Sequence, residues 1–243
     1  MKKIGRFLVS SSLLIALITM ITPSAECDQR PSGRLNAALL ATGLEGSIGS
    51  TIGPDGALYV AEGAAGRISR VDPQTGEITT FASGLPKTIE TIGIGGPIDV
   101  AFIGKTAYVL VTLVSPDVGG SDVDGIYRVD GPDSFTVVAD IGEFNLNNPP
   151  TIQFPITVRT GLQYALQPYR GGFLVTDGHL NRVLRVSRDG EITVLIAFDD
   201  IVPTGLVVSG NTVYMAEAGP VPHLPQDGKV CVVPVWAEAS HRQ

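Results

Sequence analysis

One stretch of this chain is written twice. Gly56-Ala57-Leu58-Tyr59-Val60-Ala61-Glu62-Gly63 continues through Arg67-Ile68-Ser69-Arg70-Val71, and it aligns without a gap on Gly171-Gly172-Phe173-Leu174-Val175-Thr176-Asp177-Gly178 through Arg182-Val183-Leu184-Arg185-Val186. Ile126-Tyr127-Arg128-Val129-Asp130 repeats the end of the motif between them. Arg70, Arg128 and Arg185 are therefore spaced by 58 and 57 residues. A fourth, weaker copy runs from Asn211-Thr212-Val213-Tyr214-Met215-Ala216-Glu217 to Gly228-Lys229-Val230-Cys231-Val232-Val233. A fixed period of this length requires one supersecondary unit stacked on copies of itself.

Each unit reads as four short strands separated by turns such as Pro54-Asp55-Gly56 and Asp72-Pro73-Gln74-Thr75-Gly76. In the first copy the strands are expected near 47–52, 58–61, 67–71 and 78–82. No segment sustains a period of 3.6 residues beyond the apolar amino terminus. With 29 glycines and 17 prolines the chain is too turn-rich for a helix bundle. The expectation is an all-β β-propeller of four-stranded blades, about four of them. Leu40-Ala41-Thr42-Gly43-Leu44 matches Phe81-Ala82-Ser83-Gly84-Leu85, an outer strand, and could complete the fourth blade. Either a closed small ring or an open arc of a longer propeller follows. Asp140–Thr160, containing Asn147-Asn148-Pro149-Pro150, is an insertion between the second and third blades.

The amino terminus reads as an address. Met1–Arg6 is basic, Phe7–Ile21 is apolar, and Thr22–Cys27 is short and rich in small residues, the layout of a signal peptide. The apolar run is shorter than the roughly 20 residues a membrane span needs, so no stable transmembrane anchor is expected. The expected organisation is a signal peptide over 1–25, a linker over 26–36, the propeller over 37–236 and a tail over 237–243, in an exported (periplasmic or secreted) protein. Ser24-Ala25-Glu26 before Cys27 is a poor lipidation site, so a lipoprotein is not expected. A Cys27–Cys231 disulfide and a small buried Cys231 are both compatible with the sequence. Removing Lys2, Lys3 and Arg6 leaves 14 bases against 24 acids, a balance that repels phosphate backbones and excludes nucleic acid as a partner class.

Pro54–Glu62, Ile98–Phe102, Gly125–Asp130, Thr136–Asp140, Asn147-Asn148-Pro149 and Val202-Pro203-Thr204-Gly205 occur in this order along the chain. In these stretches the sequence resembles the ScyD/ScyE family of exported propellers associated with scytonemin biosynthesis. The resemblance implies a propeller related to the NHL-repeat and gluconolactonase-like superfamily, shortened by about two blades at its carboxyl end, without a settled activity. Ser47-Ile48-Gly49-Ser50 and Arg159-Thr160-Gly161-Leu162 depart from the Asn-Pro-x-Gly entry of similar proteins.

Glu62, Asp177 and Glu217 end the second strand of three blades, with Val111 in the equivalent place of the other. Asp99 lies near the start of an innermost strand. Convergent carboxylates of this kind would form a metal site for Ca²⁺, which related lactonases use to polarise an ester carbonyl. The competing reading is structural. Glu62 with Arg67 and Asp177 with Arg182 share a five-residue offset, so each acid can pair with the following Arg and accept from the next turn. Arg70, Arg128 and Arg185 read as blade-to-blade pairs or solvated strand residues. His179, Asn147 and Asn148 are the candidate ligand-binding residues. His179, two residues from Asp177, could also serve as a base. Asp117, Asp122 and Asp124 fit no EF-hand spacing and read as a solvated loop. No Gly-x-Ser-x-Gly turn and no zinc-type Cys/His spacing occurs. The expected partner is a small molecule, glycan or protein.

Overall fold

The computed structural model describes residues 37–154 and 158–234, and the compact unit begins at Leu40. The expectations for the signal peptide over 1–25, the linker over 26–36, Cys27 and the tail over 237–243 lie outside the described residues. Blade I comprises β1 (Ser47–Ile52), β2 (Leu58–Glu62), β3 (Arg67–Val71) and β4 (Ile78–Ser83). Blade II comprises β5 (Gly96–Ile103), β6 (Thr106–Thr112), β7 (Gly125–Gly131) and β8 (Ser134–Asp140). Blade III comprises β9 (Gln163–Tyr169), β10 (Gly172–Asp177), β11 (Arg182–Val186) and β12 (Ile192–Ala197). Blade IV has three strands, β13 (Pro203–Ser209), β14 (Thr212–Glu217) and β15 (Lys229–Pro234). The fold is an all-β, four-blade propeller.

Local chemistry explains the strand boundaries. Asp72 Oδ1 accepts from Gln74 N and Thr75 N at 2.9 Å each, closing the turn between β3 and β4. Asp55 Oδ1 accepts from Ala57 N at 3.2 Å in the turn that separates β1 from β2. Within each sheet successive residues face opposite neighbours, as the two-residue strand period demands. In β6, Val109 and Val111 pack towards blade I, whereas Tyr108 and Leu110 pack towards blade III. Ring pairs reinforce the junctions. Tyr59 meets Phe81 and Phe102 edge-on at 4.9 and 4.8 Å, and Tyr108 meets Phe173 at 4.8 Å.

Three apolar clusters join blade I to II, II to III and III to IV, and none joins IV to I among the described residues. The inner strands β1, β5, β9 and β13 adjoin one another in that order. Among the described residues this matches the open one of the two arrangements the repeats allow. The outward face of blade IV carries Val207, Tyr214, Val230 and Val232 in solvent, Val230 at 69% exposure.

The structure corrects one expectation about closure. Residues 40–44 form no strand, and blade IV keeps three strands among the described residues. Gly43 and Gly46 take left-handed φ values of 88° and 67°, which break the extension. Glu45 N then donates to Glu62 Oε2 at 2.5 Å, so the segment is tied to blade I instead. The insertion also contains a helix that periodicity does not reveal, α1 (Ile141–Asn147), capped by Asp140, whose side chain accepts from Glu143 N at 2.7 Å. Among the described residues no helix is long and apolar enough to cross a membrane.

Candidate functional site

The second strand of each blade delivers its last side chain to one face of the sheet stack. In blade I that side chain is Glu62, fully buried. It accepts from Arg67 Nε and Nη2 at 3.0 Å each, from Ser69 Oγ and from Glu45 N. Burial alone would raise its pKa, but these donors outweigh that cost and hold the carboxyl below its ordinary value.

Asp177 occupies the same place in blade III, also fully buried. Asn145 Nδ2 from α1 donates to its Oδ2 at 2.6 Å, Leu162 N donates to Oδ1 at 3.3 Å, and Arg182 Nε stands 3.8 Å away. Arg182 itself donates to Asn145 Oδ1 at 2.7 Å and to the Asn148 carbonyl at 2.8 Å. Burial dominates here and pushes the Asp177 carboxyl up to about 6 against the pull of Arg182 and Asn145. Gly161 makes this packing possible. Its φ is +82°, and a Cβ there would approach Asp177 Oδ1 and Gln163 Nε2 to 2.5 Å. In blade IV, Glu217 faces Lys229 Nζ at 3.4 Å and accepts from Cys231 Sγ at 3.4 Å.

Asp99 sits at an irregularity that recurs between the first and second strands of every blade. Its Oδ2 accepts from Leu166 N at 2.8 Å and its Oδ1 from Val100 N at 2.9 Å, which ties β5 to β9 across the junction of blades II and III. Burial raises its pKa to about 6. Thr176 does the comparable work one junction on, accepting from Ala165 N at 3.0 Å and donating to the Thr204 carbonyl at 2.5 Å. Glu62, Asp99, Asp177 and Glu217 thus stand in separate hydrogen-bond networks. No three groups of metal-ligating type converge among the described residues.

The remaining candidates scatter. His179 makes no hydrogen bond to Asp177; its Nδ1 is buried without a partner, and burial lowers its pKa, helped by the nearby His223. Asn148 donates from Nδ2 to the Phe144 carbonyl and terminates α1. Asn147 is exposed at the end of the same helix, beside a shallow depression shared with Asp189. Arg70 pairs with Asp55 at 2.7 Å and Arg128 with Asp130 at 2.6 Å, each within its own blade rather than between blades.

The loop read as solvated is where the structure differs most from expectation. The segment from Leu113 to Asp124 folds back over α1, and Asp124 is fully buried. Its Oδ1 accepts from Val114 N at 2.8 Å, whereas Oδ2 has no hydrogen-bond partner. Burial raises its pKa. Asp117 pairs with Arg159 at 2.9 Å. The loop, α1 and Arg159-Thr160 together wall a cavity of 610 Å³ on the face that also receives the ends of the second strands. Blade II, which has Val111 in place of the acid, therefore supplies a buried carboxylate from the start of β7 instead. Asn145 and Asp124 escape sequence reasoning because both act through partners distant in the chain. The one local signal was Asp140 three residues before Glu143, a helix-start pattern.

No family model and no curated protein sequence matches the chain. Among solved structures it is similar to a gluconolactonase from Xanthomonas campestris, at 12% identity over 78% of this chain and 59% of that one, with a TM-score of 0.50. A catalytically inactive virginiamycin B lyase from Staphylococcus aureus with quinupristin aligns at 15% identity over 78% of this chain and 55% of that one, with a TM-score of 0.46. The computationally designed Ika4 protein aligns at 10% identity over 82% of this chain and 99% of that one, with a TM-score of 0.46. The chain thus spans a little over half the length of these two natural proteins, and the likeness is one of β-propeller fold.

Proposed function

We propose that this protein is an exported, non-catalytic binding propeller of the ScyD/ScyE type, which holds a small ligand in loops on one face of its blades. The observation that supports this reading most is the 610 Å³ cavity between the Leu113–Asp124 loop and α1. That volume lies in the range of small-molecule sites, about 300–1,000 Å³, and its walls are loops on a rigid sheet scaffold. The polar groups that could have formed a catalytic set, Glu62, Asp177 and Glu217, are each committed to a partner in their own surroundings.

The rival reading is a Ca²⁺-dependent lactonase-like hydrolase. It needs Glu62, Asp99, Asp177 and Glu217 to turn to one ion, and their present donors would have to be given up first. A thermal-shift screen of the full chain against small molecules, with Ca²⁺ and with chelator, separates the two, since a ligand of the native state raises the midpoint. Binding is expected to be lost in Ser121→Trp, which fills the cavity mouth from an exposed loop position. Chelator-sensitive turnover of lactones or esters that vanishes in Glu62→Ala or Asp177→Ala would overturn the binding reading. Export is tested separately, by the amino-terminal residue of the protein recovered outside the cytoplasm.

A further inference from the structure

The chemistry of the cavity wall specifies more than its size. Five carboxyl groups line it, from Asp117, Asp122, Asp124, Asp140 and Glu143, against the single guanidinium of Arg159. Arg159 is already paired with Asp117, and Asp140 is committed to the start of α1. The charge left to face a ligand is therefore negative, contributed by Asp122, Asp124 and Glu143.

Asp124 distinguishes this place from an ordinary acidic surface. Its side chain is fully buried, and one carboxylate oxygen has no partner. Buried carboxylates elsewhere in the molecule have an Arg or Lys nearby or accept hydrogen bonds at both oxygens: Glu62 has Arg67, Asp177 has Arg182, Glu217 has Lys229, and Asp99 receives two backbone N–H groups. A buried polar atom without a partner is costly, and a cation brought beside it restores the balance. The Ser115 and Thr160 hydroxyls, hydrogen-bonded to each other at 3.2 Å, lie between blade II and the end of the insertion and line the same cavity.

The wall also narrows the kind of cation. Among the described residues no three ligating groups converge, which disfavours a bare metal ion. Among the described residues no aromatic ring lines the cavity, so a quaternary ammonium would find none of the faces that recognise it. We propose that the cavity binds a small organic cation bearing N–H donors, a primary ammonium or a guanidinium, with Asp124 as the buried counter-charge and Asp122 and Glu143 at the mouth. This rests on the binding reading above and adds the class of ligand.

The test is calorimetric titration of the full chain with agmatine and cadaverine, alongside 1,5-pentanediol, glutarate, tetramethylammonium and Ca²⁺ as comparison probes. Agmatine or cadaverine binds one to one, and the others bind at least about tenfold more weakly, as expected when a charge-assisted hydrogen bond is lost. Asp124→Asn keeps the Val114 N–H bond and weakens the cation by a similar factor. Asp122→Asn with Glu143→Gln, at exposed positions, weakens it by a few-fold and covers the case in which the buried variant fails to fold. If pentanediol or glutarate competes equally and Ser121→Trp blocks both, the binding reading stands and the cation assignment falls. Preference for Ca²⁺ or tetramethylammonium overturns the assignment as well. If neither these probes nor the wider screen binds at all, both readings fall together.

Discussion

Glu62 in blade I and Asp124 in blade II are both fully buried carboxylates on the same face of the sheet stack, yet their surroundings differ in kind. Glu62 is enclosed by a guanidinium, a hydroxyl and a backbone N–H, and its pKa is lowered. Asp124 accepts from Val114 N, has one oxygen without a partner within hydrogen-bond distance, and burial raises its pKa against the pull of that N–H and of the nearby Ser115 and Thr160 hydroxyls. The repeated position is a structural clasp, which joins the end of the second strand to the turn that follows. Where blade II gives up the clasp residue for Val111, the acid moves to the start of β7 and no cation follows it. A repeat tolerates such a departure only where something else satisfies the group or the site has a use for the deficit.

Asp177 makes the sharpest test, because its cation is itself buried. Arg182→Met leaves a fully buried carboxylate with Asn145 and Leu162 N alone, and roughly 3–5 kcal/mol of stability should be lost in denaturant melts. Arg67→Met should cost less, roughly 1–2 kcal/mol, since Ser69 and Glu45 N remain on Glu62 and Arg67 is partly solvated. Equal losses at the two sites would show that the clasps are equivalent and that burial of the cation is immaterial.

The pH dependence of stability comes next in size. Asp99 and Asp177 have folded pKa values raised to about 6, so the stability they contribute is present at low pH and is lost as pH rises from their unfolded values through 6. Between pH 7 and pH 5 the two groups together should therefore add about 2–3 kcal/mol of stability. Glu62, Asp72 and Asp130 act with the opposite sign, because their lowered values make stability disappear as pH falls through the ordinary carboxylate range. A melting-temperature profile with its maximum near pH 5 is the expected outcome, about midway between these two sets of groups. A maximum at or above pH 7 would contradict the burial assigned to Asp99 and Asp177.

Smaller still, Asp124→Asn without ligand should leave stability at pH 7 unchanged or raise it by up to about 1 kcal/mol, because a buried, half-partnered carboxyl is exchanged for an amide. Glu62→Gln should destabilise by about 1–2 kcal/mol, which sets the two acids apart by sign. Arg70→Ala and Arg128→Ala remove pairs that lie in solvent and should produce no measurable change in midpoint.

The repeat made much of this architecture legible. β1 and β3 fall where the turns around Pro54-Asp55-Gly56 and Asp72–Gly76 place them, and the five-residue offset of Glu62 from Arg67 and of Asp177 from Arg182 correctly announced clasps. Legibility failed where partners are far apart in the chain. Asn145 reaches Asp177 across 32 residues and Arg182 across 37, and no local pattern encodes either contact. Asp124 looked solvated because glycines surround it in sequence, yet it packs against Gly142 at the start of α1, whose N–H donates to the Asp124 carbonyl at 2.9 Å. Leu40–Leu44 copied an outer strand in composition, but the left-handed Gly43 and Gly46 and the anchoring of Glu45 on Glu62 hold it beside blade I, away from the edge of β15.

The uncovered face of blade IV has a consequence for how the molecule comes apart. In a stack where each unit touches only its neighbours, stability is close to a sum of units and junctions. Blades II and III are held from both sides, whereas blade IV has one junction, three strands and an apolar outer face in water. It is the unit of least cooperativity, and amide exchange should peel β15, β14 and β13 while blades II and III still protect their hydrogens. The same asymmetry gives the stack a direction of growth: its free sheet face and the unfinished edge of β15 are where another blade, or another chain, would be added at the cost of a single new junction.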